Sequence, residues 1–136
     1  MKDVSQFPEG TIGFIYKITD HTNNRSYIGK KSLFSTRKKH FGKKQKAEIT
    51  DKRKKLYEMV TTVMPKWSEY TGSCVPLNQS ISDGAKYTKE ILQVCSTKQA
   101  MSYFEIKYQM IDGVIEPGNN SYNENILGKF YPKLFL

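Results

Sequence analysis

Residues 11–30 read TIGFIYKITDHTNNRSYIGK, and the reading of this stretch decides the fold. Thr11 to Thr19 is rich in β-branched and aromatic residues, which sit well on a pleated surface, and it predicts a strand. Asp20-His21-Thr22-Asn23-Asn24 follows, dense in short polar side chains that bond their own backbone and accept tight turns. Arg25 to Lys30 predicts a second strand. Two such runs separated by a short polar turn make a β-hairpin. Tyr16 and Tyr27, eleven residues apart in sequence, stand one on each strand of this hairpin.

Working outward, Pro8 and Gly10 make residues 1–10 an irregular lead-in. After the hairpin, a basic helix of a turn or two is expected near Thr36 to Phe41. A second helix is expected over Asp51 to Met64. Thr50 or Asp51 would cap it, Leu56, Met59, Val60 and Val63 would give it one apolar face, and Pro65 would end it. Residues 65–86 read as irregular, with Trp67 and Tyr70 as anchors to the core; Trp67 reads as a core residue rather than a platform for stacking bases. Lys86 to Cys95 predicts a third strand. Ser96 with Gln99 forms a capping box that opens a further helix, with Met101, Phe104, Tyr108 and Ile111 as its apolar stripe and Gly113 as its stop. The order hairpin, helices, strand, helix predicts an α+β domain with a small, mainly antiparallel three-stranded sheet packed on helices. The whole of 1–136 reads as a single domain with a basic helical insertion at about 42–66.

The 136 residues hold 38% apolar residues, enough for one modest core. Lys2, Asp3 and Val4 follow Met1 with no apolar run behind them, and no stretch approaches the ~18 apolar residues of a membrane helix. A soluble, cytoplasmic protein of a bacterium or a phage-infected cell is the expectation, with Cys74 and Cys95 as reduced thiols. Two cysteines and two distant histidines, His21 and His40, make no zinc pattern. The net charge is +9, and its placement is informative. Residues 30–55 hold twelve of the 22 Lys and Arg against two acids, Glu48 and Asp51; the rest of the chain holds ten cations against eleven acids. A single-sign block on a near-neutral body is the footprint of a polyanion binder. The candidate nucleic-acid contacts are Lys31, Lys38, Lys39, Lys43, Lys44, Lys46, Lys52, Arg53, Lys54 and Lys55. The stretch Lys43 to Lys55 reads as a track along a phosphate backbone.

Phe14-Ile15-Tyr16 and Tyr27-Ile28-Gly29 together resemble the two-part signature of the GIY-YIG nuclease family. The second tripeptide matches fully. In the first, Phe14 stands where Gly is usual, and Gly13 lies one place earlier. The downstream order agrees with the resemblance: Lys30 directly after the second tripeptide, Arg37 about ten residues past Tyr27, Glu105 on a later helix, and Asn123 in Ser121-Tyr122-Asn123. The family tends to place a His or Tyr four residues past the arginine. That position is Phe41 here and His40 is three past it; on a helix either spacing lies near Arg37. The resemblance covers about residues 11–125.

It implies a metal-dependent endonuclease that hydrolyses DNA phosphodiester bonds, homing-type or restriction-like, using Mg²⁺ with Mn²⁺ as a substitute. The implied site is Tyr16, Tyr27, Lys30, Arg37, His40, Glu105 and Asn123. Glu105 would be the metal ligand, since one carboxylate with several waters suits an ion that dehydrates reluctantly. Arg37 would clamp the scissile phosphate with its planar fork. Tyr16 and Tyr27 would flank the attacking water, and a phenol near pKa ~10 needs nearby cations such as Lys30 and Arg37 to become a useful base. His40 would relay a proton or support its neighbours, and Asn123 would brace Glu105 or the backbone of the site. The partner would be duplex DNA, with a homodimer as one way to cut both strands. Two rival readings fit the same residues: a non-catalytic nucleic-acid-binding module retaining the fold, and a basic RNA-binding or ribosome-associated protein.

Overall fold

The structure is a computed structural model describing residues 6–43, 47, 57–64 and 66–135. Its centre is a three-stranded antiparallel sheet of strand order β2-β1-β5, made of β1 (Gly13–Asp20), β2 (Arg25–Ser32) and β5 (Tyr87–Cys95). The hairpin register runs from Gly13 opposite Ser32 to Asp20 opposite Arg25. Its turn is built as its composition requires. The Thr22 amide donates to Asp20 Oδ1 and the Arg25 amide to Asn23 Oδ1, both at 2.9 Å, while Asn24 takes φ 58°. β1 lies between two partners and under cover on both faces, so nearly all its residues are buried.

Two cores result from the alternation of side chains along β1. Phe14, Tyr16 and Ile18 meet Phe7, Leu33, Met64, Trp67, Leu77 and Tyr122 on one face. Ile15, with Ile28 of β2, meets Cys95, Met101, Val114, Ile115 and Ile126 on the other. Phe14 is fully buried, stacked on Phe7 at 5.2 Å between ring centroids and edge-on to Trp67 at 5.2 Å, so the residue that departs from the signature is a core residue.

The second face is covered by a helix, α2 (Lys98–Asp112). Its cap is Thr97, whose hydroxyl accepts from the Ala100 amide at 3.0 Å, one residue later than the expected Ser96. Gly113 ends it in the left-handed conformation, as expected. Met101 is buried, but Ile111, at 70% exposure, does not belong to the buried stripe. A short helix, α1 (Val75–Ser82), lies in the stretch expected to be irregular. Pro76, which reads as a breaker, occupies its first turn, where a missing N–H costs nothing. Leu77 is its one buried residue, too few to create a visible helical period.

The largest departure lies between β2 and Trp67. Where a basic helix was expected near Thr36 to Phe41, the chain forms strand β3 (Phe34–His40). Tyr57–Val63, read as the C-terminal half of a helix, is strand β4. The two pair antiparallel from Phe34 opposite Val63 to His40 opposite Tyr57, as a separate two-stranded sheet. The apolar set Met59, Val60 and Val63 had suggested a helical face, but the β-branched run Val60-Thr61-Thr62-Val63 favours extended backbone once a partner strand is present. The N-terminal half of that expected helix, 51–56, and most of the expected insertion lie outside the described residues. Among the described residues no helix is long and apolar enough to cross a membrane. Both cysteines are free thiols.

Candidate active site

β2 is an edge strand of the three-stranded sheet, and an edge strand presents unpaired backbone groups at every second residue. Here those of Ser26 and Ile28 are claimed. The Ser26 amide donates to the Asn120 carbonyl at 3.3 Å, and the Ser26 carbonyl accepts from the Tyr122 amide at 2.7 Å. At Ile28 the partner is a side chain: Asn123 Oδ1 accepts from the amide at 3.0 Å and its Nδ2 donates to the carbonyl at 2.9 Å. Asn123 thus imitates a paired strand, and buried Gln109 adds a second donor to the Ile28 carbonyl at 3.1 Å. Beside Lys30 stands Glu105, a half-buried carboxylate on α2 whose charged form the Lys30 ammonium and amide favour. Of the two braces expected of Asn123, the structure shows the one to the strand backbone.

Strand alternation sends Tyr27, Gly29 and Lys31 to the Trp67 face and Ile28 and Lys30 to the α2 face. Tyr27 and Glu105 therefore come from opposite sides of β2, and they meet at its edge as walls of one open pocket of about 510 Å³. Asn123, Gln109, Cys74 and exposed Glu124 line the same pocket. Burial raises the Glu105 pKa above the ordinary carboxylate range, against the opposing pull of the Lys30 charge and amide. The Lys30 ammonium is exposed and reaches Ser102 Oγ at 3.4 Å.

Tyr16 lies behind Tyr27, with ring centroids 6.2 Å apart. Its hydroxyl is held in a slot between two glycines. A Cβ on Gly29 would stand 2.7 Å from that oxygen, and one on Gly72, itself at φ +78°, would stand 2.9 Å from it. The Tyr70 hydroxyl is 3.5 Å away. Burial, then the Tyr70 contact, push the Tyr16 phenol far above its ordinary pKa. Burial also raises Tyr27, although the nearby Ser73 side chain opposes it. The cationic neighbourhood expected to lower these phenols is not the dominant influence on either.

Residues 67–73 are the part of this neighbourhood that no sequence motif identified as functional. Lys89 of β5 holds the segment down, donating to the carbonyls of Trp67 and, at 2.9 Å, Tyr70, with its ammonium 4.3 Å over the Trp67 ring. Burial lowers its pKa. The Lys31 ammonium covers the Tyr70 ring at 5.0 Å. The only hint in the sequence is the density of Trp67, Tyr70, Gly72 and Ser73 within seven residues.

Arg37 and His40 do not join this set. Both are exposed on β3, and neither lines the pocket. Three residues apart on a strand, they point to opposite faces, whereas on the expected helix they would have shared one. The His40 ring instead lies edge-on to Tyr57 at 5.9 Å. Of the expected nucleic-acid contacts, Lys38, Lys39 and Lys43 are exposed and Lys31 is half-buried; Lys44, Lys46, Lys52, Arg53, Lys54 and Lys55 lie outside the described residues.

Among the described residues there is no group of three His, Cys, Asp or Glu that could hold a metal ion. An all-protein cage is thus not formed there. The pocket instead offers hard oxygen donors, the Glu105 carboxylate first, with open space for water beside them.

A family model described as "Putative endonuclease segE, GIY-YIG domain" matches residues 1–126. No curated protein and no solved structure matches the chain.

Proposed function

This chain belongs to the GIY-YIG endonuclease family, and on that premise we propose that it is a metal-dependent endonuclease hydrolysing DNA phosphodiester bonds. The observation that carries the reading is the meeting of Glu105 and Tyr27 at the β2 edge as walls of one pocket open to solvent, with the Lys30 charge near Glu105. Phosphodiester hydrolysis requires a water beside an anion and positive charge where negative charge develops. Glu105 would hold Mg²⁺, or Mn²⁺ in its place, with waters completing the shell; the bound ion supplies Lewis-acid polarisation of the phosphate.

The chain's own residues do the rest. Lys30 extends its ammonium into solvent near Glu105, so a phosphate drawn to that charge lies close to the carboxylate. Tyr27, its phenol raised by burial, acts in its neutral form, orienting water through its hydroxyl. Tyr16, Gly29 and Gly72 fix the position of Tyr27 from behind. Asn123 and Gln109 keep the Ile28 peptide from moving between them.

Magnesium-dependent plasmid cleavage tests this, comparing the parent with Glu105→Ala. Nicking or linearisation that needs the metal and disappears in the variant, while duplex binding persists, is the expected result. Binding by both proteins with no cleavage of any DNA would leave a binding module with the nuclease fold. Cleavage at few long sites would mark a homing-type enzyme, and cleavage at many short ones a restriction-like enzyme. Linear product whose yield depends on protein concentration to the second power would support a homodimer.

A further inference from the structure

The β3–β4 ribbon is the part of the molecule that the proposed chemistry leaves unused. It grows directly from β2: Leu33, 1% exposed, accepts from the Met64 amide at 2.9 Å and donates to the Ile12 carbonyl at 2.8 Å, so both ribbon strands are rooted in the core. One residue further, cover ends. Every residue of β3 is exposed, and β4 is exposed except for half-buried Tyr57 and Val60. Phe34, Met59 and Val63 are 44%, 57% and 53% exposed.

The register sorts the ribbon into two different faces. One carries Phe34, Thr36, Lys38 and His40 opposite Val63, Thr61, Met59 and Tyr57. Its groups are engaged with each other, the Lys38 ammonium lying 4.5 Å over the Tyr57 ring that His40 also meets. The other carries Ser35, Arg37 and Lys39 opposite Thr62, Val60 and Glu58. Apart from half-buried Val60 that face carries hydroxyl and charged groups, and among the described residues Arg37 and Lys39 have no ion-pair partner.

We propose that the ribbon enters the major groove of duplex DNA and that its Ser35–Arg37–Lys39 face reads base edges. This rests on the DNA-cleaving function proposed above. Two strands about 4.8 Å apart with their side chains fit a groove about 12 Å wide. Same-face residues along a strand are about 6.7 Å apart, close to two base-pair steps of about 3.4 Å, so Ser35 to Lys39 covers roughly four steps. The partner's charge is indicated by the cations: β3 holds three Lys and Arg and no acid, within the 30–55 block of twelve cations and two acids. Arg37 can pair in a bidentate way with guanine, while a threonine hydroxyl and the Val60 methyls tolerate several bases. Lys38, on the opposite face and equal in charge, contacts phosphate only.

The test is selection from a randomised duplex library, scored separately for sequences bound without divalent metal and sequences cleaved with it. The parent is expected to enrich a motif of about four base pairs. Arg37→Ala should lose about 10-fold or more of the preference at one or two adjacent positions, and Arg37→Gln should move that preference from guanine towards adenine. Lys38→Ala should weaken binding to all sequences alike and leave the motif intact. A parent that selects no motif, or Arg37→Ala and Lys38→Ala weakening all sequences equally, would overturn the proposal. So would Arg37→Ala binding the parent's motif unchanged while cleaving nothing, which would assign Arg37 to the scissile phosphate. Because the binding arm needs no cleavage, an Arg37-dependent motif in a protein that never cuts would sink the nuclease reading and keep this one.

Discussion

The outer edge of β2 and the β3–β4 ribbon are consecutive in the chain, and they solve the edge-strand problem in opposite ways. Along β2, the outward backbone groups of Ser26 and Ile28 are met by residues 120–123 and Gln109, and Glu105 stands near Lys30. Among the described residues nothing comparable covers the ribbon; its two strands pair with each other and all their residues but Tyr57 and Val60 are exposed. A covered edge is rigid, and rigidity is what a carboxylate and a phenol need if they are to stand at a fixed separation. A bare ribbon carrying excess cations gains stability only when a polyanion lies against it. The comparison predicts that substitutions along β2's edge act on catalysis and folding, while those on the ribbon act on which DNA is bound.

The largest effect should come from Glu105. Glu105→Gln keeps the shape but removes the charge, and the cleavage rate should fall about a thousandfold with duplex affinity unchanged within about threefold. Single-turnover cleavage and a gel shift on the same duplex would measure both. If the rate falls less than tenfold, the covered edge is not where the chemistry happens.

Next is the step between Leu33 and Val63, core root against ribbon surface. Leu33→Ala should cost about 3 kcal/mol in urea unfolding, as a buried large-to-small change does. Val63→Thr, on an exposed face, should stay within about 0.5 kcal/mol. Equal costs would mean that the ribbon is covered after all.

Asp20 sharpens the comparison at the hairpin end. It is fully buried and accepts from Ser80 at 2.6 Å and Tyr122 at 2.7 Å through Oδ2, and from the Thr22 amide through Oδ1. Burial pulls its pKa upward, but these three donors outweigh it, and the carboxyl is held below its ordinary value. A lowered folded-state pKa stabilises the fold above the unfolded value of about 3.9, and this contribution is lost as pH falls through the folded pKa. Asp20→Asn turns an amide N–H₂ towards two hydroxyl donors or strands the Thr22 amide. It should cost about 2 kcal/mol at neutral pH and flatten the acid limb of the stability curve. A variant with the parent's acid limb would show that other carboxylates set it.

The smallest of these effects is expected at Asn123. Asn123→Ala removes both of its bonds to Ile28 and should cost about 1–2 kcal/mol. Hydrogen exchange at the Ile28 amide should quicken while the amides of β1 stay protected. Exchange unchanged at Ile28 would mean that the edge is held by residues 120–122 and Gln109 alone.

The legible part of the fold was the part with a local cause. The hairpin, β5, and α2 ending at Gly113 follow from turn chemistry and from periods that neighbouring residues display by themselves. The charge block between residues 30 and 55 is equally a property of composition. The family resemblance carried by Phe14-Ile15-Tyr16 and Tyr27-Ile28-Gly29, rather than any local pattern, pointed to Tyr16, Tyr27, Lys30, Glu105 and Asn123. What only the tertiary structure decided has a non-local cause. Met59, Val60 and Val63 fit a helix or a strand equally well, and pairing with Phe34–His40 arbitrates. That choice turned Arg37 and His40 to opposite faces of a ribbon. Tyr70 reaches Tyr16 across 54 residues of sequence, and Glu105 stands near Lys30 only because α2 packs across an edge strand. A turn or a cap is fixed within a few residues; a strand partner, or the atom that receives a hydrogen bond from an edge, is fixed only when distant segments share one core.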